Sequence, residues 1–258
     1  MNIGFIGAGN MASAMMKGIK GHPVGCFDIA SAMMKKAEEQ YNAKTFVSAE
    51  DLCAWADLVV LAVKPQVLPD AVNPLADVLA GKPVVSIAPG FTIEKLSSLL
   101  PQSRICRVMP NTPAMVGEGM IAIAEESTVS TNEMCIIEDI FSSVGRVVTV
   151  KEKQIDAVTA ISGSGPAYVF MMIEALTDAG VREGLSYPVA KELAAQTVLG
   201  SAKMVLESEI HPADLKNRVC SPAGTTIDAV AVLEQRGFRS ALMDAAHVCA
   251  EKSRSMGK

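Results

Sequence analysis

The sequence predicts an α/β amino-terminal domain followed by an all-α carboxy-terminal domain, and three observations carry that division. Short apolar runs alternate with helix-patterned segments up to about Val150. Beyond that point long helical patterns follow one another with no convincing strand. Near the amino terminus, a glycine-rich turn sits directly between the first apolar run and the first helical pattern. Domains are therefore expected over residues 1–150 and 151–258.

Each element follows in order. "NIGFIG" reads as a short apolar strand, with "GNMASAMMKGIK" as the helix behind it. "PVGCFD" reads as strand, "SAMMKKAEEQY" as helix, "AKTFV" as strand and "AEDLCAWA" as a short helix. "DLVVLAV" is continuously apolar, as a parallel strand covered on both faces must be. It stops at Lys64-Pro65, where proline suits a first helical turn. "PVVSIA" and "RICRVM" repeat the pattern and end in loops at Pro89-Gly90 and Pro110-Asn111. Alternation at this spacing implies a parallel sheet with right-handed crossovers.

The second half supplies helices only. "GPAYVFMMIEALTDAGVREG" opens with Pro166 and closes at Gly184, and "YPVAKELAAQTVLGSAKMVLES" follows with Pro188 in its first turn. "SPAGTTIDAVAVLEQRG" and "FRSALMDAAHVCAEKSRS" supply two more. The first of these is apolar nearly all round, through Tyr168, Val169, Phe170, Met171, Met172 and Ile173. A helix of that kind must be covered on every side. A small helical domain cannot easily do so alone. Burial between subunits is expected; the central helix of a monomeric bundle is the alternative.

Composition excludes several classes. The formal net charge is −5 and no run of Lys or Arg stands out, so neither a nucleic acid nor an anionic membrane is an expected partner. Gly, Pro and charged residues interrupt every apolar stretch before it could span a bilayer. Met1 leads almost at once into "IGFIGAG", with no basic-then-apolar leader. Cys26, Cys53, Cys106, Cys135, Cys220 and Cys249 show no C-x-x-C spacing, and the three histidines are isolated. Disulfide frameworks and zinc sites need clustering, so these thiols read as reduced and the protein as cytoplasmic.

Gly7, Gly9 and Ala12 form G-A-G-N-M-A between a strand and a helix. In that context G-x-G-x-x-A is a dinucleotide fingerprint, and the first domain is read as Rossmann-like. The glycines allow a tight turn and close approach to a pyrophosphate, which the helix N-terminus attracts. A plain strand-to-helix turn is the alternative. Asp28 ends the second strand, where a carboxylate accepts hydrogen bonds from ribose hydroxyls and repels a 2′-phosphate. That charge leans toward NADH over NADPH. Asp28 could equally cap the helix that starts near Ser31. The ends of three further strands complete the expected groove: Ala62-Val63-Lys64-Pro65, Ile87-Ala88-Pro89 and Met109-Pro110-Asn111-Thr112-Pro113.

A dinucleotide domain joined to helices suggests hydride transfer. His211 and His247 stand apart from the Gly/Ser/Thr clusters, and Lys153, Lys191, Lys203 and Lys216 read as solvated helix faces. A hydroxy-acid dehydrogenase needs a base. The "ISGSGPAYVFMMIEAL" segment has a glycine-rich turn with no Lys or Asn after it. Reduction of a C=N bond asks for less, because an iminium nitrogen already carries its proton. Orientation and a grip on a carboxylate then matter most. The box from Ser221 to Thr226 suits that task. Gly224 and Thr225 fall at the start of a helix with unpaired N–H groups, and Ser221, Thr225 and Thr226 add hydroxyls. Thr226 is the hydroxyl able to reach a ring nitrogen beside the carboxylate. A simple helix cap is the alternative.

"FIGAGNMASAMMKGI", "LAVKPQ", "RVMPNTPA", "ISGSGPAYVF" and "ADLKNRVCSPAGTTIDAVAVLE" occur in that order over nearly the whole chain. Together they resemble the pyrroline-5-carboxylate reductase family. The resemblance implies reduction of 1-pyrroline-5-carboxylate to L-proline by NADPH or NADH, the last step of proline biosynthesis. It also implies a homodimer through the helical domain, in some members assembled further into decamers. By position it places cofactor contacts on Ile6, Gly7, Ala8, Gly9, Asn10 and Met11, on Ala62 to Pro65, and on Asp28 to Ser31. It places substrate contacts on Ser221, Gly224, Thr225 and Thr226, with Thr226 bonding the ring nitrogen as the catalytic hydroxyl. Ala88, Met109, Pro110 and Asn111 complete the expected cofactor groove. Three departures stand out. The chain has Asp28-Ile29-Ala30-Ser31 where many members suit NADPH, and Ser48-Ala49-Glu50 where many have an adenosine-side Asn. Ala223 replaces a second glycine, and a type I turn would accept its methyl. A reductase of another imine or ketone, or a nucleotide sensor without chemistry, are the competing readings.

Overall fold

Strand residues of this chain are apolar at consecutive positions, so both sides of each strand must be covered. The computed structural model, which describes residues 1–256, meets that demand with one eight-stranded sheet. Gly257 and Lys258, the last residues of the domain expected over 151–258, lie outside the described residues.

In chain order the sheet unit comprises β1 (Ile3–Ile6), α1 (Asn10–Gly18), β2 (Val24–Phe27), α2 (Ser31–Tyr41), β3 (Lys44–Thr45), α3 (Ala49–Trp55) and β4 (Leu58–Leu61). There follow α4 (Leu68–Val72), β5 (Pro83–Ser86), α5 (Ile93–Leu99), β6 (Arg104–Met109), β7 (Gly119–Ala124), α6 (Thr131–Ser142) and β8 (Gly145–Val150). Spatial order is β3-β2-β1-β4-β5-β6-β7-β8. The first six strands are parallel and in the order of a dinucleotide-binding fold. Order reverses between β1 and β4, which pair in register from Ile3 opposite Leu58 to Ile6 opposite Leu61.

Period-two alternation divides the core between two faces. Along β4, Leu58 and Val60 pack with Phe5, Met15 and Phe141 on one side. Val59 and Leu61 pack with Leu52, Leu68 and Leu79 on the other. All four β4 side chains are buried.

The sheet departs from the all-parallel expectation at β7, which runs antiparallel to β6. Only a 3-10 turn, Thr112–Val116, lies between them. A parallel crossover needs about a dozen residues or more, usually with a helix, so the chain turns back instead. β8 then pairs parallel to β7 across α6. α6 is closed by a capping box, in which the Ser130 hydroxyl accepts from the Glu133 N–H and Glu133 accepts from the Ser130 N–H. Glu133 also takes both ends of the Arg104 guanidinium.

After β8 come α7 (Ile155–Val158) and a π-helical turn, Thr159–Gly163. Helices α8 (Gly165–Arg182), α9 (Tyr187–Glu207), α10 (Pro212–Val219), α11 (Thr225–Gln235) and α12 (Phe238–Met256) complete the chain. The short α10 is an element the sequence reading lacked. Two compact units result: Met1–Ser164 together with Val248 onward, and Gly165–His247.

The helical unit has almost no core of its own. Along α8 and α9 only Gly165, Thr177, Ala190 and Ala194 are buried, and α10 and α11 bury nothing. Phe170 and Met171 are 62% and 69% exposed in the single chain. That is the all-round apolar helix the sequence describes, still lacking its cover. Among the described residues no helix is long and apolar enough to cross a membrane.

One buried charge interrupts the sheet's apolar faces. Arg107 on β6 is 5% exposed. Its Nη1 lies 3.0 Å from Glu152 Oε1, which also accepts a 2.6 Å bond from the Ile93 N–H. Removing one member of such a pair leaves the other charge unmet. Glu152→Gln is expected to lose about 3 kcal/mol of stability, the lower end for a broken buried pair because Glu152 is partly exposed. Urea unfolding checks it; an unchanged midpoint would show that the pair is not needed.

Candidate active site

The carboxyl ends of the parallel strands gather most of the residues singled out above. β1 runs into the turn Gly7-Ala8-Gly9, and α1 starts at Asn10. Gly7 has φ +95°, and a Cβ there would lie 2.8 Å from the carbonyl oxygen of Ala62. Only glycine fits both the left-handed backbone and that approach. The two strand ends are thereby held together, with Ala62 donating to the Ile6 carbonyl at 2.8 Å.

Gly9 is the N-cap of α1, extended at ψ −175°, and no side chain caps the helix. A Cβ built on Gly9 meets nothing within 4 Å. The first N–H groups of α1 thus face open space beside the switch in strand order, with Asn10 exposed and Met11 half-buried. That is a cradle for a phosphate group.

Asp28 lies against this turn. Its Oδ2 accepts from the Ala8 N–H at 2.7 Å and its Oδ1 from the Ala30 N–H at 2.8 Å. The carboxylate therefore ties the β1–α1 turn to the one that leads into Ser31 and α2. Each oxygen keeps a second lone pair for a ribose hydroxyl.

Ala62, Val63, Lys64 and Pro65 follow β4, with Lys64 exposed and Pro65 opening a 3-10 turn. Ala88 follows β5 and is buried, its N–H donating to the Ser86 hydroxyl at 3.3 Å. Met109 ends β6, and Pro110 and Asn111 lead out of it, all three buried. The Asn111 side chain does not point to an open groove. Its Oδ1 accepts from the Met120 N–H at 2.8 Å, and its Nδ2 donates to the Ser162 carbonyl at 3.0 Å.

The second group lies in the helical unit. Gly224 is the N-cap of α11, at ψ 167°, again with no side-chain cap. Thr225 and Thr226 form the first turn; Ser221 and Thr225 are exposed and Thr226 is half-buried. The Gly224 N–H donates to the Ser221 carbonyl at 3.0 Å, closing a turn through Pro222 and Ala223. Ala223 has φ +55°. This corrects the type I expectation: positive φ at the third position is type II geometry, which favours glycine. The alanine strains the turn by about 1–2 kcal/mol. A Cβ on Gly224 would collide with the Ser221 hydroxyl, which would have to rotate away.

The titratable side chains in these groups are Asp28, the exposed Lys64 and, in the first turn of α11, the exposed Asp228. His211 caps α10, its Nδ1 accepting from the Ala213 N–H at 3.2 Å. Burial pushes the thiols of Cys26 and Cys106 up to about 11 and that of Cys53 up to about 12, so none of these is a nucleophile near neutral pH. Among the described residues no three His, Cys, Asp or Glu side chains gather as a metal site would require.

Comparison with known proteins bears on both units. A family described as pyrroline-5-carboxylate reductase dimerisation matches residues 152–256. One described as NADP oxidoreductase, coenzyme F420-dependent, matches residues 2–90. The pyrroline-5-carboxylate reductase of a Synechocystis species is 41% identical over 270 residues, covering 100% of this chain and 99% of its own. That of Escherichia coli is 39% identical, covering 99% and 98%. Among solved structures, pyrroline carboxylate reductase of Plasmodium falciparum with NADP bound superimposes with a TM-score of 0.90 at 35% identity, covering 100% and 98%. The Coxiella burnetii reductase gives 0.92 at 35% identity, covering 100% and 98%.

Gly7→Ala tests the turn. The methyl would press on the Ala62 carbonyl from a disfavoured backbone, at about 1–3 kcal/mol of strain. Affinity for NADH, titrated by nicotinamide fluorescence, is expected to fall at least about tenfold if that strain opens the turn. Unchanged affinity would detach the turn from nucleotide binding.

Proposed function

This chain belongs to the pyrroline-5-carboxylate reductase family and reduces 1-pyrroline-5-carboxylate to L-proline with a nicotinamide cofactor, the last step of proline biosynthesis, and we propose how its residues divide that work. The observation that carries the division is the pair of helices that begin on an extended glycine N-cap, at Gly9 and at Gly224.

The sheet unit holds the cofactor. Ile6 to Met11 cradle its pyrophosphate, with N–H groups at the start of α1 supplying the donors. Asp28 and the turn to Ser31 receive the adenosine ribose. Ala62 to Pro65, Ala88, and the backbone of Met109, Pro110 and Asn111 line the nicotinamide half. When bound, the reduced nicotinamide supplies the hydride. The charge on Asp28 disfavours a 2′-phosphate, which makes NADH the preferred donor.

Substrate binds at the start of α11. The carboxylate of the pyrroline ring takes the free N–H groups near Gly224 and Thr225, gaining about 0.3–1 kcal/mol from the helix dipole. Hydroxyls of Ser221 and Thr225 add charge-assisted bonds. The Thr226 hydroxyl bonds the ring nitrogen, holding the iminium carbon in line for attack. No general acid is required, because the nitrogen already bears its proton. The absence of any titrating group in the box agrees with that chemistry.

Residues 151–258 act as the dimerisation and substrate-binding domain and residues 1–150 as the cofactor domain. The exposed apolar faces of α8 and α9 support a homodimer through the helical domain. Work in the cytoplasm fits an enzyme with reduced, widely spaced thiols.

Thr226→Ala is expected to lower kcat/KM for pyrroline-5-carboxylate by about 5- to 150-fold, the equivalent of about 1–3 kcal/mol for an unmet buried partner. Wild-type turnover in that variant would remove Thr226 from the reaction. Initial rates at equal NADH and NADPH are expected to favour NADH; a large NADPH advantage would overturn the role given to the Asp28 charge.

A further inference from the structure

Residues 151–164 connect the sheet to the helical unit, and β6 grips that connection near both ends. Arg107 holds Glu152 at 3.0 Å, and Asn111 holds Ser162 at 3.0 Å. Two further bonds pin it to the last helix: Ser253 to Asp156 at 2.6 Å and Cys249 to Ser164 at 3.2 Å.

The Ser162 end has a specific chemical need. In an α-helix its carbonyl would accept from the N–H four residues on. That residue is Pro166, which has no N–H. The backbone widens here into a π turn, closed by the Ser164 N–H on the Thr159 carbonyl at 2.8 Å. Such turns are rare and gather at functional sites. The amide of Asn111 supplies the donor that proline withholds. Its carbonyl oxygen is meanwhile fixed by the Met120 N–H at 2.8 Å, so the side chain is held from both sides and is 8% exposed.

We infer that Asn111 is a positioning residue for the reductase reaction: through Ser162 it fixes the π turn from which the substrate-binding helical unit departs, at the strand end that lines the nicotinamide half of the cofactor site. The inference rests on the reaction proposed above. Asn111 touches neither reacting atom; it acts on where the connection leaves the sheet. Both side-chain bonds of Asn111 go to protein backbone, which separates the role of this side chain from that of a cofactor ligand.

The test is Asn111→Asp in the full-length enzyme. Aspartate keeps an acceptor for the Met120 N–H but presents oxygen, not a donor, to the Ser162 carbonyl. With the melting temperature close to wild type, kcat/KM for pyrroline-5-carboxylate is expected to fall on the order of 10- to 100-fold, as displaced reacting groups do. The Kd for NADH, read by nicotinamide fluorescence, is expected to stay within about twofold, since pyrophosphate and ribose contacts are untouched. A folded variant with wild-type kcat/KM overturns the proposal, and so does a loss of NADH affinity equal to the loss of kcat/KM. If Asn111→Asp does not fold, Asn111→Ser carries the same two readouts without added charge. Failure of that variant to fold also overturns the proposal, because the residue would then be a stability element alone. A wild-type enzyme inert toward pyrroline-5-carboxylate would count against the reaction itself, a separate outcome.

Discussion

Burial of the central strands on both faces is the constraint from which the rest follows. Leu58 to Leu61 alternate between two cores, and every one of them is covered. A strand in that position has no face free for chemistry. Polar function must therefore sit where strands end, and the carboxyl ends provide it because helix N-termini begin there. The close approach of Gly7 to the Ala62 carbonyl is the closest expression of this rule: two strand ends meet at the reversal of strand order, with no room for a side chain between them. Arg107 is the exception on the sheet faces, and it is neutralised at once by Glu152. Its presence there is explained by what it holds, which is the way out of the sheet.

Much of this could be read from the sequence because continuous apolar runs and glycine spacing are one-dimensional signals. β1, β2, β4, β5 and β6 all fall within the segments so identified. β7 and β8 lie outside those segments. "GMIAIA" follows β6 after a short turn with no helix between, so it gives no strand–helix alternation to follow. "GRVVTV" lies at the sheet edge, half-buried and carrying an arginine, and has none of the continuous apolarity of the central strands. The two backbone partners of Asp28 and the two of Asn111 were also out of reach, since they depend on how distant turns meet in space. One sequence signal does bear on Asn111: Pro166 stands four residues after Ser162, which leaves a carbonyl without its helical donor.

In the helical unit, sequence and structure state the same problem. Helix α8 carries Val169, Phe170 and Met171 outward, and α9 carries Val189, Leu193 and Leu199, all exposed in the single chain. Apolar burial contributes about 25 cal/mol per Å², so faces of this kind represent several kcal/mol left unrealised in a lone protomer. A unit that buries only Gly165, Thr177, Ala190 and Ala194 along its two longest inner helices cannot offset its own ordering entropy. Membership of a family whose helical region is described by its dimerisation accounts for the missing cover.

Extended glycine N-caps begin both α1 and α11. Side chains meet the first N–H groups of α3, α5 and α6, through Ser48, Thr92 and Ser130, whereas α2, α4, α7 and α9 have no side-chain cap. At α1 and α11 the cap is a glycine in extended conformation with no side chain to accept a bond. Relative to serine or aspartate, glycine at the N-cap gives up roughly a few tenths of a kcal/mol of helix stability. A serine or aspartate cap would also occupy the donors that an anion needs. The cofactor and the substrate of this reaction both present anions, a pyrophosphate and a carboxylate. Glycine at both N-caps leaves the first N–H groups of α1 and α11 without a side-chain acceptor, and Ala223 at positive φ lies in the tight turn before the second of them.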